Sequence, residues 1–150
     1  MTDQVCYNLL NPSAGQAVPK GFYGQDFGNL VKDAADRDMG VVVIRVMAGG
    51  AIGGPAARKG NAAPSIGSSL AAGGDYESDA GRASSLNSMV AHGVASLPEA
   101  AVRFALMNRA VSTVLVGFSD RGQIDSAAAS SNMGPLPQSA MERLQALWTS

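Results

Sequence analysis

The sequence predicts an α/β fold, in which a small parallel sheet of about three strands is surrounded by helices. Three observations carry that expectation. Short runs of β-branched and apolar residues at 3–10, 41–46 and 111–116 each end in a glycine- or proline-containing turn. Between and after them, apolar residues recur at the three- and four-residue spacing of half-buried helices. The central run, GVVVIRVMAGGAIGG over 40–54, passes from a strand buried on both faces straight into a glycine-rich turn. Ligands of parallel α/β folds bind at such strand ends, where missing Cβ atoms let backbone approach the ligand closely.

In chain order, Val5, Tyr7 and Leu9 alternate with Gln4, Cys6 and Asn8, which predicts the first strand, stopped by NPSAG at 11–15. Phe27, Leu30, Val31, Ala34 and Ala35 predict an amphipathic helix over about 26–38. Gly40 closes that helix and opens the central strand over 41–46. Residues 47–81 are rich in Gly, Ala, Ser and Pro without a sustained period, and read as a long loop of functional character. Ala83, Leu86, Met89 and Val90 then suit a helix over 82–92. Ser96 with Glu99 three residues later is a capping-box pattern, starting a helix to about Asn108 whose buried side is Ala100, Ala101, Phe104, Ala105 and Met107. The third strand follows at 111–116 and ends at Gly117. Ser119 and Asp120 open a helix carrying Ile124, Ala127 and Ala128. Pro137 opens a last helix with the stripe Met141, Leu144, Leu147 and Trp148. Strands that alternate with helices imply parallel pairing through right-handed crossovers.

Composition narrows the functional classes. The 150 residues form one domain by size, large enough for a core, with 46% apolar residues and a net charge of -1. That charge gives no reason to expect nucleic acid or an anionic membrane as partner. No apolar run approaches the roughly 20 residues of a membrane helix. The N-terminus carries no secretory signal pattern, and a single cysteine, Cys6, forms no intrachain disulfide, so a cytoplasmic protein is expected. No metal-ligand spacing is present: Asp75, Glu77 and Asp79 start like a calcium loop but do not continue as one, and read as solvated loop charges. His92 is the sole histidine and reads as a surface or capping residue.

The candidate site is the set of strand carboxyl ends. Gln4 and Asn8 come from the first strand, Arg45 with Gly49 and Gly50 from the second, and Gly117 with Ser119 from the third, leading into a helix whose N-terminus suits phosphate. The alternative reading of Ser119 or Asp120 is that it caps its own helix.

Four stretches occur together and in order: QVCYNLLNP over 4–12, IRVMAGGAIG over 44–53, the segment 96–106, and STVLVGFS over 112–119 with Gln123 and Ile124. They resemble the C-terminal part of an aldo-keto reductase, from about Gln4 to Trp148. The resemblance implies part of a (β/α)8 barrel, with the three strands corresponding to barrel strands six, seven and eight, and NADP(H) as cofactor. It implies that Gln4 meets the nicotinamide carboxamide. Residues 45–51, with Arg45, Ala48, Gly49 and Gly50, would line the nicotinamide and pyrophosphate. Gly117, Ser119 and Gln123 would hold the adenosine 2′-phosphate and ribose. Two positions depart from the family pattern: Arg45 or Val46 stands where an aromatic usually stacks on the nicotinamide, and Ser126-Ala127 where a Glu-Asn pair often grips the adenine.

The family's catalytic Asp, Tyr, Lys and His come from the first four strands. Neither Tyr7, Tyr23 and Tyr76 nor His92 and the lysines match them, so no catalytic residue is assigned. Three functions follow as expectations: a partial reductase with some NADP(H)-binding surface, a non-enzymatic interaction module, or a carbonyl reductase completed by another chain. Barrel-interior side chains left open in a monomer lead to the expectation of a homodimer, pairing strand edges or barrel faces.

Overall fold

The computed structural model describes residues 1–54, 60, 75–90 and 92–149. Strands β1 (Thr2–Cys6), β2 (Gly40–Ile44) and β3 (Thr113–Val114) form one sheet in the order β1-β2-β3, and both pairings are parallel. Helix α1 (Leu30–Ala35) connects β1 to β2. Between β2 and β3 lie a 3-10 segment (Ala48–Gly53), α2 (Tyr76–Ser85) with a 3-10 extension (Leu86–Met89), and α3 (Leu97–Met107). Helices α4 (Arg121–Ser131) and α5 (Gln138–Trp148) complete the fold.

The elements follow the sequence pattern, but several boundaries move for identifiable reasons. β1 stops at Cys6 rather than near residue 10 because the Asn8 side chain turns the backbone. Its Oδ1 accepts from the Leu10 and Asn11 amides, both at 2.9 Å. α1 is limited to six residues because Gly28 and Asn29 before it are left-handed, with φ 62° and 59°. β2 ends at Ile44 because Arg45 is left-handed too, at φ 59°. The 47–81 connection is not all loop. Asp75 accepts from the Ser78 amide at 2.8 Å and caps α2, which therefore begins well before residue 82. Asp79, read from sequence as a solvated loop charge, is a buried helical residue only 1% exposed. Much of the remaining connection, at 55–59 and 61–74, lies outside the described residues.

Ser96 caps α3 as its sequence pattern anticipates, accepting from the Glu99 amide at 3.3 Å. Glu99 reaches back to the Ala95 amide instead of that of Ser96, at 3.1 Å.

The core lies between one face of the sheet and the helices. Val5, Val41 and Val43 point into it, against Ala101, Phe104 and Ala105 of α3 and Ala140 and Leu144 of α5 in the same cluster. Tyr7, Phe104 and Trp148 stack in a row, with ring centroids 4.8 and 5.8 Å apart. The Trp148 indole N–H donates to the Leu9 carbonyl at 2.8 Å, which ties the end of α5 to the turn after β1. A Cβ on Gly15 would lie 2.7 Å from the Tyr7 ring, so this turn tolerates no side chain there.

The opposite sheet face is open. The register places Gln4 beside Val42 and Val42 beside Thr113. Gln4 and Thr113 are exposed, Val42 and Ile44 half-buried, and Leu115 is 52% exposed. α4 is also poorly covered. Its expected core side does not form: Ile124 is 41% exposed, Ala128 is exposed, and only Ser130 is buried. α4 packs chiefly on α3.

Candidate functional site

Because all three strands are parallel, their carboxyl ends open at one side of the sheet, and most of the expected site residues lie there. The turn after β2 has the most unusual backbone among the described residues. Arg45, Ala48, Gly49 and Gly50 all have positive φ, at 59°, 49°, 66° and 101°. Two of these are not glycine, and such conformations cost of order 1–3 kcal/mol each and persist only where surrounding structure imposes them. The imposing group is Asn8, fully buried, whose Nδ2 donates to the Arg45 carbonyl at 3.0 Å. Asn8 thus holds the turn instead of facing a ligand.

The turn is anchored on one side and open on the other. Val46, Ala48, Ala51 and Ile52 are buried in the core. Among the described residues, a Cβ built on Gly49 or Gly50 would meet nothing within 4 Å. Arg45 is half-buried and lies close enough to Cys6 to lower its pKa. Burial is the larger effect, and the Cys6 thiol is raised overall, which makes it a poor nucleophile. Tyr7 is pushed up by burial to about 12, partly offset by a hydrogen bond from Asn108, and stays neutral as a core residue.

The β3 end is arranged differently. Gly117 is exposed with open space around it. Asp120 caps α4, its Oδ1 accepting from the Gln123 amide at 2.9 Å. Gln123 folds back so that its Oε1 accepts from the Ser119 amide at 2.8 Å and the Ser119 hydroxyl at 3.3 Å. Ser119 and Gln123, expected at a phosphate, are therefore bound to each other, and the self-capping alternative describes this helix start. Gln4 lies apart from both turns, mid-strand on the open sheet face, paired in register with Val42.

One further cation, not among the expected site residues, stands at this end of the sheet. Arg121 opens α4 with its side chain 91% exposed and only a loose contact to Asp125 at 3.6 Å. A cation in a helix's first turn runs against the helix dipole, and that is the signal that could have found it.

Among the described residues, no group of three His, Cys, Asp or Glu side chains could hold a metal ion, and no helix is long and apolar enough to cross a membrane. A cavity of about 320 Å³ lies outside the predicted site. It is lined from the 19–23 loop, α2 and the end of α5, and by none of the eight residues assigned to cofactor binding.

The family model for the aldo/keto reductase family matches residues 22–149. Among solved structures, the chain is similar to the holo form of aldo-keto reductase AKR11C1 from Bacillus halodurans, with a TM-score of 0.60 and 17% identity over 97% of this chain and 42% of that one. The apo form gives a TM-score of 0.59 at 17% identity, over 97% of this chain and 43% of that one. The chain thus spans less than half the length of these structures, and its three parallel strands and surrounding helices match part of their barrel fold. No curated protein matches.

Proposed function

The chain belongs to the aldo/keto reductase family, and from that premise we propose that it is a partial reductase, holding part of an NADP(H)-binding surface without reducing carbonyls by itself. The observation that carries this reading is the turn from Arg45 to Gly50. Four positive-φ residues occur there, the Arg45 carbonyl is held by a buried asparagine, and two of the four are glycines open among the described residues, with a cation at the strand end. A turn that served only to connect elements would relax this strain. In the proposed complex Gln4 receives the nicotinamide carboxamide, while the backbone around Ala48, Gly49 and Gly50, with Arg45, faces the pyrophosphate. Gly117 allows close approach beside the ribose. When bound, the cofactor would supply hydride chemistry. No residue of this chain is assigned to move the accompanying proton, since Tyr7 is buried and neutral.

The start of α4 limits affinity in this reading. A 2′-phosphate there meets Arg121, but also the Asp120 carboxylate, and Gln123 must turn away from Ser119. Replacing Asp120 by serine keeps a capping oxygen and removes the charge. Two unit charges about 4 Å apart in water interact by about 1 kcal/mol, so Asp120→Ser is expected to tighten NADPH binding roughly five-fold. Calorimetric titration of both proteins with NADPH measures this, alongside an aldehyde panel that should show no turnover. An absence of heat with both proteins contradicts the reading and leaves the interaction-module alternative, which the self-capped α4 favours.

The reading includes a cytoplasmic homodimer. The open sheet face is uncharged and part apolar, through Val42, Ile44 and Leu115. A second copy packed on it across a two-fold axis would cover these residues without like-charge repulsion. Light scattering is expected to give twice the 15.2 kDa chain mass. Leu115→Asp, which sets two charges against each other at the axis, should return it to the single mass. A monomeric unmodified chain at micromolar concentration contradicts the dimer.

A further inference from the structure

We propose that the cavity between the 19–23 loop, α2 and the end of α5 binds a small aromatic carboxylate, independently of any dinucleotide. At about 320 Å³ it falls at the lower end of ligand-pocket sizes. Its walls combine flat apolar surface from Phe22, Tyr23 and Trp148 with two cations, Lys20 and Arg82. None of its lining residues is acidic.

Arg82 is the central group. Its Nη2 donates to the Leu10 carbonyl at 3.1 Å, and its guanidinium stacks on the Tyr23 ring, 4.9 Å from the centroid. Its Nη1 is closed off from water and makes no hydrogen bond. Burial pulls the Arg82 pKa down, while the charge of Asp79 one turn earlier on α2 and that of Tyr23 act in the opposite direction. A guanidinium N–H left without an acceptor costs more than a neutral donor would, and a carboxylate is the acceptor that fits its fork. Tyr23 lies against the guanidinium face and is able to give way, because it is 51% exposed on a loop and held at its hydroxyl by one surface contact to Ser78 at 3.3 Å. With Tyr23 moved outward, a carboxylate reaches Arg82 while its ring lies against Phe22 and Trp148. Lys20, exposed at the mouth, adds a second positive charge without holding any part of the fold together.

The test uses benzoate as probe and the indole N–H resonance of Trp148, the only tryptophan in the chain, as reporter. Benzoate is expected to shift that resonance saturably, and neutral benzamide at equal concentration to leave it in place. Lys20→Ala should weaken benzoate at least three-fold and Arg82→Gln at least ten-fold. Should Arg82→Gln fail to fold, Lys20→Ala and the benzamide control still decide. Equal shifts with benzoate and benzamide, unchanged affinity in Lys20→Ala, or benzoate shifts confined to Gly49, Gly50 and Gly117 would each overturn the proposal.

Discussion

Replacing Arg103 by alanine is expected to destabilise the protein by about 3–5 kcal/mol, the cost of breaking a buried ion pair from one side. Arg103 lies on α3 and is almost wholly buried, yet its side chain is satisfied on several sides. Nε donates to the Gly134 carbonyl at 3.1 Å and Nη2 to that of Pro135 at 2.7 Å. Nη1 reaches the Gly93 carbonyl at 3.0 Å and Glu99 Oε1 at 2.6 Å. One guanidinium thus joins the turn before α3 to the turn between α4 and α5. Alanine removes all of these bonds and strands the Glu99 carboxylate, which also accepts from the Ala95 amide. Lysine should recover little, because a single ammonium cannot reproduce the planar fork. The double change Glu99→Leu with Arg103→Met should be far milder than Arg103→Ala alone, since no buried charge is left behind. Urea unfolding of the three variants checks this. Arg103→Ala within about 1 kcal/mol of the parent would mean the network contributes little beyond its own desolvation.

The second large effect is at Phe104, where alanine is expected to cost about 3–5 kcal/mol through lost burial and the cavity left behind. Phe104 is fully buried between Tyr7 and Trp148, so it links the turn after β1 with α3 and α5. Leucine should recover part of the loss by refilling volume without the ring contacts. Thermal unfolding measures both, and the near-ultraviolet circular dichroism of Trp148 should weaken in the alanine variant as its edge-on partner disappears. An unchanged midpoint for Phe104→Ala would show that the row of rings is not the structural centre it is taken to be.

What was legible in the sequence is what depends on local chemistry. Ser96 and Asp120 sit at helix starts because a short oxygen-bearing side chain can serve an amide three residues on, and both caps form. The stripe on α5 is real in Leu144 and Trp148, with Met141 and Leu147 partly covered. Strand ends were not legible. Tyr7 to Leu10 continue the apolar run of β1, but they are buried in a turn fixed by the side chains of Asn8 and Asn11, not in the sheet. Arg45 breaks β2 through a left-handed backbone conformation whose carbonyl is held by the distant Asn8 as well as by the Ala48 amide. α2 was hidden because YESDAGRASS has little apolar periodicity, although the Asp75 cap was present to be read.

The site divides along the same line. The glycine-rich turn announces itself by composition, whereas the particular roles given to Gln4, Ser119 and Gln123 come from family resemblance. The bond between Ser119 and Gln123 belongs to a capping-box arrangement, Asp120 at the cap with Gln123 three residues on, and repeats the bond from the Ala95 amide to Glu99 at the start of α3. The exposed side of α4 misled for a physical reason as well. Ile124 has helical spacing for burial, but the elements around β3 leave it uncovered.

The central claim is that this part of an aldo/keto reductase barrel still presents a dinucleotide surface at its strand ends. The most direct measurement is a residue-resolved amide spectrum recorded during titration with NADPH. The account predicts saturable shifts at Gly49, Gly50, Gly117, Ser119 and Gln123, a smaller one at Gln4, and none at the Trp148 indole. A spectrum unchanged at millimolar NADPH, or shifts gathered around Trp148 and Arg82 instead, would contradict it.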